Sequence, residues 1–254
     1  MFGSCLPQLA CKAAGCFVEC DPRLVPLLAR SLPNVTPIAK SADRSAERCD
    51  IFEFVGSLPR HFRRRLEDFP AAAAYLKPDP DLVAKWRSRF ARLGSALKVG
   101  ISWRGGKDSQ TQRQRSIPLE FWKPVAQVPG VRFVNLQYGP GAADAALVRD
   151  RFGISLDDGT DCDPLVDLDD FAAKLAALDL VISVDNSTVH LAAAVGCPVW
   201  TLLPFCSDWR WMLERETTPW YPTMRLLRSR GLEGWPELLQ RTARLLTAAT
   251  FARK

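Results

Sequence analysis

Histidine is nearly missing from this sequence, with only His61 and His190 among 254 residues. The eight cysteines, at 5, 11, 16, 20, 49, 162, 197 and 206, include no Cys-x-x-Cys pair. A zinc site therefore lacks its ligand spacing, and no metal is expected. Several cysteines lie inside apolar runs such as Gly15-Cys16-Phe17-Val18 and Gly196-Cys197-Pro198-Val199, where free thiols behave as small buried hydrophobes in a reducing compartment. No run reaches the roughly 18 apolar residues of a membrane span, and the start lacks the basic-then-apolar order of a signal peptide. The expected location is the cytoplasm. A dinucleotide fingerprint is also missing: Gly139-Pro140-Gly141 has no third glycine three residues on, and its proline removes an N–H. It reads as a turn. Internal repeats and low-complexity tracts are not visible.

What is present is a chain rich enough in apolar residues (47%) to bury one large core or two modest ones. A formal charge of +6 and a pI near 9.0 favour anionic partners. The basic residues are spread along the chain and no nucleic-acid module is visible, so nucleic acid is not the expected partner.

Between Lys98 and Pro204, short apolar runs alternate with amphipathic segments, the pattern of βαβ units around a parallel sheet. Expected strands are Lys98–Trp103, Val131–Gln137, Leu180–Asp185 and Pro198–Leu203, each short and mostly β-branched or aromatic. Helices are expected over Pro118–Val128, Ala142–Phe152, Asp169–Leu178 and Ser187–Val195, the last ending at Gly196. Upstream, a smaller α/β unit is expected from strands at Cys16–Cys20, Val35–Ala39 and Asp50–Phe54 and a helix at Pro22–Arg30 capped by Asp21. The proline-rich run from Pro70 to Pro80 reads as the join, before a helix over Leu82–Leu93. After Pro204 the pattern turns aromatic and irregular, and a last helix is expected from about Pro236 to Ala248. The chain opens on a helix, Phe2–Ala14, where a βα unit should open on a strand.

Ligands of doubly wound sheets bind beyond the carboxyl ends of strands, where helix N-termini present free N–H groups to anions. Val184-Asp185-Asn186-Ser187-Thr188, with His190 on the same helical face as Asn186 and Ser187, is such a place and suits a diphosphate. An equal reading makes Asn186 or Ser187 a simple cap and His190 a satisfied buried histidine. Arg104-Gly105-Gly106 ends another strand, followed by KDSQTQRQRS, read as a charged loop. Its Lys107, Arg113 and Arg115 either clamp a phosphate or form a solvated charge run. The Phe205–Trp211 cluster reads as packing rather than as a platform for a sugar or base, and Arg60–Arg65 as a solvated helix face rather than a contact with an anionic acceptor or membrane surface.

The stretches VGISWRGG, RSIPLEFW, VRFVNLQYG, LDLVISVDNSTVHLAAAVGCPVWTLLP and DWRW…PWYPTMRLLR resemble, in order and spacing, the donor-binding half of heptosyltransferase-like proteins, glycosyltransferase family 9. The branch most resembled is the bacterial one often fused to tetratricopeptide repeats. FGSCLPQL, VECDPRLVPLLARSLPNV and SLPRHF resemble that family's acceptor-side domain. The resemblance implies an α/β fold of GT-B type, two Rossmann-like domains facing across a cleft. They would be an acceptor-side domain over 1–78, a linker helix over 79–97, a nucleotide-sugar-binding domain over 98–233, and a C-terminal helix over 234–254 packing back toward the first domain. It implies an inverting, metal-independent transfer from a nucleotide-diphosphate-sugar to a glycan, lipid or protein acceptor, with no further cofactor and with room for peripheral membrane contact. By motif, Asp185, Asn186, Ser187, Thr188 and His190 would meet the donor, with Ser102, Arg104 and Gly105 at the end of the first strand. Arg115 would meet phosphate, and Gln137 would lie near the nucleoside. The family's opening strand and acidic loop have no counterpart before Met1, so the sequence reads as N-terminally truncated. Glu19, Asp21 and Glu53 are the carboxylates weighed as substitute bases, with Glu19 read as lying on the sheet and Asp21 as a cap. A catalytically inactive binder or interaction module is the alternative.

Overall fold

A computed structural model describes residues 1–40, 49–71, 74–106, 108–138, 156–157, 162–231 and 234–251. The expected turn at 139–141, the expected helix at 142–152 and Lys107 lie outside the described residues. Seven strands form the main sheet: β3 (Leu97–Ser102), β4 (Val131–Asn135), β5 (Leu156–Asp157), β6 (Leu180–Val184), β7 (Val199–Leu203), β8 (Thr217–Thr218) and β9 (Tyr221–Arg228), in the order β5-β4-β3-β6-β7-β9-β8. All pairs are parallel except β8 with β9. Counted from β3 without the antiparallel edge, the order is that of a dinucleotide-binding sheet, with its reversal between β3 and β6. β6 is buried along its whole length, as a near-continuous Leu-Val-Ile-Ser-Val run covered on both faces should be. Gly100 allows β3 to lie this deep, since a Cβ there would collide with the Leu136 side chain and lie 2.7 Å from that of Leu178.

Before this sheet, β1 (Phe17–Cys20) and β2 (Thr36–Ala39) form a parallel pair joined through the helix Val25–Ser31. Asp21 caps the turn leading into that helix, accepting from the Arg23 N–H. The two sheets are tied by polar and apolar contacts alike. Arg30 bonds both carboxylate oxygens of Asp169, at 2.9 and 2.6 Å, and the Tyr75 and Leu76 N–H groups both donate to the Ala194 carbonyl at 3.0 Å. One apolar cluster joins Leu27, Leu58 and Leu76 to Trp86, Leu175, Ala192 and Trp211.

Several expectations change. The Asp50–Phe54 segment is not a strand: Ile51 is 86% exposed and Phe54 71%, and no edge among the described residues pairs with it. The charged run after Gly106 folds as the helix Ser109–Arg115, which the Asp108 carboxylate caps by accepting from the Gln110 and Thr111 N–H groups. The stretch read as irregular contains β9, whose Pro222 precedes the first residue paired with β7 and so removes no N–H from that ladder. The opening helix is a 3-10 turn, Phe2–Cys5, followed by the short helix Leu6–Ala10. The C-terminal helix runs over Gly234–Phe251. Its Leu238, Leu239 and Leu246 join Val99, Ile182 and Leu202 in a cluster made only of residues from Leu97 onward.

Two buried polar groups set the stability of this frame. Lys174, 2% exposed, donates to the Asn135 carbonyl at 3.0 Å and lies 5.3 Å over the Trp86 ring. Trp86 in turn donates to Asp170 at 2.8 Å. Burial lowers the Lys174 pKa, and Asp170 and Asp157 oppose that shift. Asp170→Ala leaves both the indole N–H and a buried ammonium without this carboxylate, and is expected to cost about 3 kcal/mol in urea unfolding, against a smaller loss for Asp170→Asn.

His190 stacks on Trp211 at 5.2 Å and 9° and shares a hydrogen bond with the Tyr221 hydroxyl at 3.2 Å through Nδ1. Burial, helped by nearby positive charges including Arg210 and Arg115, lowers its pKa from 6.5 to about 3. Below pH 6.5 the unfolded chain binds a proton that the folded one refuses. Stability is therefore complete above 6.5 and falls as pH drops toward 3. Relative to wild type, His190→Gln is expected to flatten the decline in denaturant stability over that window by about 1 kcal/mol per pH unit. Parallel pH profiles would remove this assignment.

Candidate functional site

The carboxyl ends of β3 and β6 meet at the reversal of strand order, paired through Ser102 and Ser183. One hydrogen-bond network fixes the turns beyond both strands. The Gln137 side-chain oxygen accepts from Ser102 Oγ at 3.1 Å, the Trp103 N–H at 3.0 Å and the Arg104 N–H at 2.8 Å. The Asn186 amide donates to Ser102 Oγ at 2.8 Å and to the Arg104 carbonyl at 2.9 Å. Its oxygen accepts from the Thr188 N–H at 3.0 Å, capping the helix Ser187–Ala194. Gly105 then runs directly against the turn after β6: a Cβ at this position would lie 2.7 Å from the Asp185 carbonyl oxygen. Only glycine permits that approach.

Arg115, at the end of the helix Ser109–Arg115, points into this junction. Its guanidinium is 3.4 Å from Asp185 Oδ2 and 3.2 Å from Asp208 Oδ2. Asp185 is 3% exposed, and its Oδ1 has no hydrogen-bond donor among the described residues. A buried carboxylate oxygen left without a donor is costly. Arg104 is exposed at the rim, and Ser187 shares a short hydrogen bond with the Tyr138 hydroxyl.

The residues expected at the site thus divide by what their polar atoms do. Ser102, Gln137 and Asn186 spend theirs on one another and on the backbone, so Gln137 orders the strand end and its oxygen faces inward. Thr188 is fully buried with an unpartnered Oγ1 among the described residues, and His190, half-buried, shares its Nδ1 with the Tyr221 hydroxyl. Gly105, Arg115 and Asp185 converge, with Arg104 and Ser187 beside them. Arg113 instead folds back to the Ser109 carbonyl at 3.2 Å. Arg115 is held on a helix end by two carboxylates, where a loop was expected.

Asp208 and Arg210, weighed in the sequence only as part of the Phe205–Trp211 cluster, border this junction, and Arg228 and Tyr138 were not singled out there. Asp208 accepts from Arg210 Nε at 3.0 Å and Nη2 at 2.9 Å. Arg228, at the end of β9, donates to Ser207 Oγ at 2.7 Å and to the carbonyls of Trp211, Met212 and Arg215. A cue lay in the spacing Asp208-Trp209-Arg210, since a cap carboxylate two residues before an arginine closes a local ion pair. Of the carboxylates weighed as bases, Asp21 is held to a pKa of about 2 by hydrogen bonds from Arg23, and Glu53 is lowered mainly by the Phe54 N–H and by Arg60. Neither suits proton abstraction near neutral pH. Glu19 lies on β1 with its side chain exposed. Among the described residues, no group of three or more His, Cys, Asp or Glu side chains is placed to share a metal ion, and no helix is long and apolar enough to cross a membrane.

Comparison with known proteins places this geometry. Residues 134–229 match the model of glycosyltransferase family 9 (heptosyltransferase). Protein FlbA of Caulobacter vibrioides is 34% identical over 263 residues, which take in 97% of this chain and 44% of FlbA. The chain therefore spans less than half the length of this relative. Among solved structures, the E. coli ADP-heptose LPS heptosyltransferase II superposes with a TM-score of 0.64 at 13% identity, covering 99% of this chain and 95% of that one. A family 9 glycosyltransferase from Veillonella parvula gives 0.58 at 13% identity, covering 100% and 94%. Residues 134–229 thus resemble glycosyltransferase family 9 (heptosyltransferase), and the chain has the mixed α/β, parallel-sheet fold of the GT-B heptosyltransferases.

Proposed function

We propose that the junction of β3 and β6 receives the diphosphate of a nucleotide-sugar and that the chain transfers this sugar, with inversion and without a metal, to a hydroxyl of a glycan, lipid or protein acceptor. The observation that carries the reading is the convergence of Gly105, Arg115 and the donor-poor Asp185 at the reversal of strand order. There the close backbone approach, one guanidinium and the start of the helix Ser187–Ala194 face the same space. In this scheme residues 98–233 hold the donor and residues 1–78 face it from the acceptor side. An acceptor hydroxyl oxygen attacks the anomeric carbon as the bond to the diphosphate breaks, and the hydroxyl proton is released to water. Arg115 takes up the negative charge growing on the leaving group. Phe2, stacked on Trp209 at 6.4 Å, brings the N-terminal segment to the side of this space.

A second reading keeps the binding and drops the transfer. It is supported by the Asp21 and Glu53 carboxylates, held in their ionised forms by Arg23 and by the Phe54 N–H with Arg60. Product analysis with a bound donor and a hydroxyl acceptor separates the two.

A thermal-shift series against nucleotide-sugars is expected to raise the melting temperature by about 5–10 °C when the cognate donor stands a hundredfold above its dissociation constant. No shift across nucleotide-sugars of every common base would remove both readings.

Arg115→Ala and Asp185→Asn are each expected to weaken donor binding about tenfold or more in calorimetry. Asparagine keeps the size of Asp185, so its folding loss should stay small. Affinities equal to wild type in both variants would move the donor elsewhere.

A further inference from the structure

Arg210, Asp208, Arg115 and Asp185 form an unbroken row of alternating charge, with contacts of 2.9, 3.2 and 3.4 Å. Their formal charges cancel. A diphosphate approaching Arg115 therefore meets a guanidinium already held by two carboxylates, in a cluster with no net attraction for an anion. Asp208 is the odd member of the row. Asp185 is built into the end of β6, whereas Asp208 belongs to the loop after β7 and reaches Arg115 across the site. Two guanidinium groups converge on its carboxylate, which is the arrangement that phosphate oxygens favour.

The loop that carries Asp208 is bent and strapped. Met212 and Glu214 both adopt left-handed backbone, with φ of 56° and 53°, a conformation that side-chain-bearing residues take up only when their surroundings impose it. Arg228 imposes it here, through its hydrogen bonds to Ser207 and to the Trp211, Met212 and Arg215 carbonyls. The same loop leaves Phe205 and Trp209 each 66% exposed beside the site.

We propose that Asp208 is an internal competitor for the anion seat. Its carboxylate occupies the forks of Arg115 and Arg210, and the diphosphate of the incoming ligand displaces it and takes over both guanidinium groups. This rests on the donor reading above and adds what the ligand must expel. It also makes Asp208 a determinant of specificity. A carboxylate tethered beside its partners acts at high effective concentration, so a singly charged ligand gains little by replacing it. A diphosphate brings more charge and more acceptor oxygens, and wins.

The test compares Asp208→Asn and Asp208→Ser with wild type in calorimetry against inorganic pyrophosphate, ADP and UDP. Asparagine and serine both retain an oxygen for the Arg210 N–H that Asp208 now caps, and melting temperatures check that the fold survives. Both variants are expected to bind the diphosphates about tenfold more tightly than wild type, as when a competing closed state is removed. They should also show measurable binding of inorganic phosphate, which wild type should refuse. Unchanged or weaker diphosphate binding in the Asp208 variants overturns the competitor role. Arg115→Ala, measured alongside, keeps the two ideas apart. If it binds like wild type, the donor seat itself is misplaced and both fail. If it is impaired while the Asp208 variants gain nothing, the competitor role alone fails.

Discussion

The site depends on one constraint: the ends of β3 and β6 must lie side by side with almost no space between the turns beyond them. Gly105 packed against the Asp185 carbonyl is the point of closest approach. The Ser102, Gln137 and Asn186 network holds it there by giving the exposed backbone of both turns fixed partners. A side chain at position 105 would push the turns apart, and Arg115 could no longer reach Asp185. The sheet order supplies the rest, because only where successive strands depart in opposite directions do their crossovers leave a crevice open between them.

This division of labour changes how the motif is understood. Several residues that resemblance assigns to the donor act as framework in this structure. Asn186 uses both ends of its amide, Gln137 accepts three hydrogen bonds, and His190 lies flat on Trp211. The atoms left to meet a ligand are fewer and more strongly charged, and they come from elements that are distant in sequence. The cost of leaving buried polar groups unpaired explains the economy.

The parallel core was legible because β3, β4, β6 and β7 are short apolar runs between capped helices, and local composition determines such elements. Asp21, which caps the turn after β1, was legible for the same reason. The Asp50–Phe54 segment shows the limit. Its apolar alternation satisfies the local rule for a strand, but a strand also needs an edge to pair with, and that is decided elsewhere in the chain. β9 failed in the other direction, since Pro222 and the surrounding aromatics hid a run whose pairing with β7 begins only at Met224. In the site, the glycine and Asp185 could be found from strand ends alone. The pairing of Arg115 with Asp208 could not, because 93 residues separate them and only the folded sheet brings them together.

The Ala194 carbonyl, which takes two N–H groups from the linker, has a mechanical meaning. It closes the helix that opens at Asn186, so one rigid rod of eight residues has its first turn at the ligand junction and its last turn fastened to the segment leading from the N-terminal unit. A rod loaded at both ends transmits displacement without absorbing it. A tilt begun at one end therefore becomes a pull on the tether at the other, and the smaller unit is geared to the junction through hydrogen bonds of the main chain.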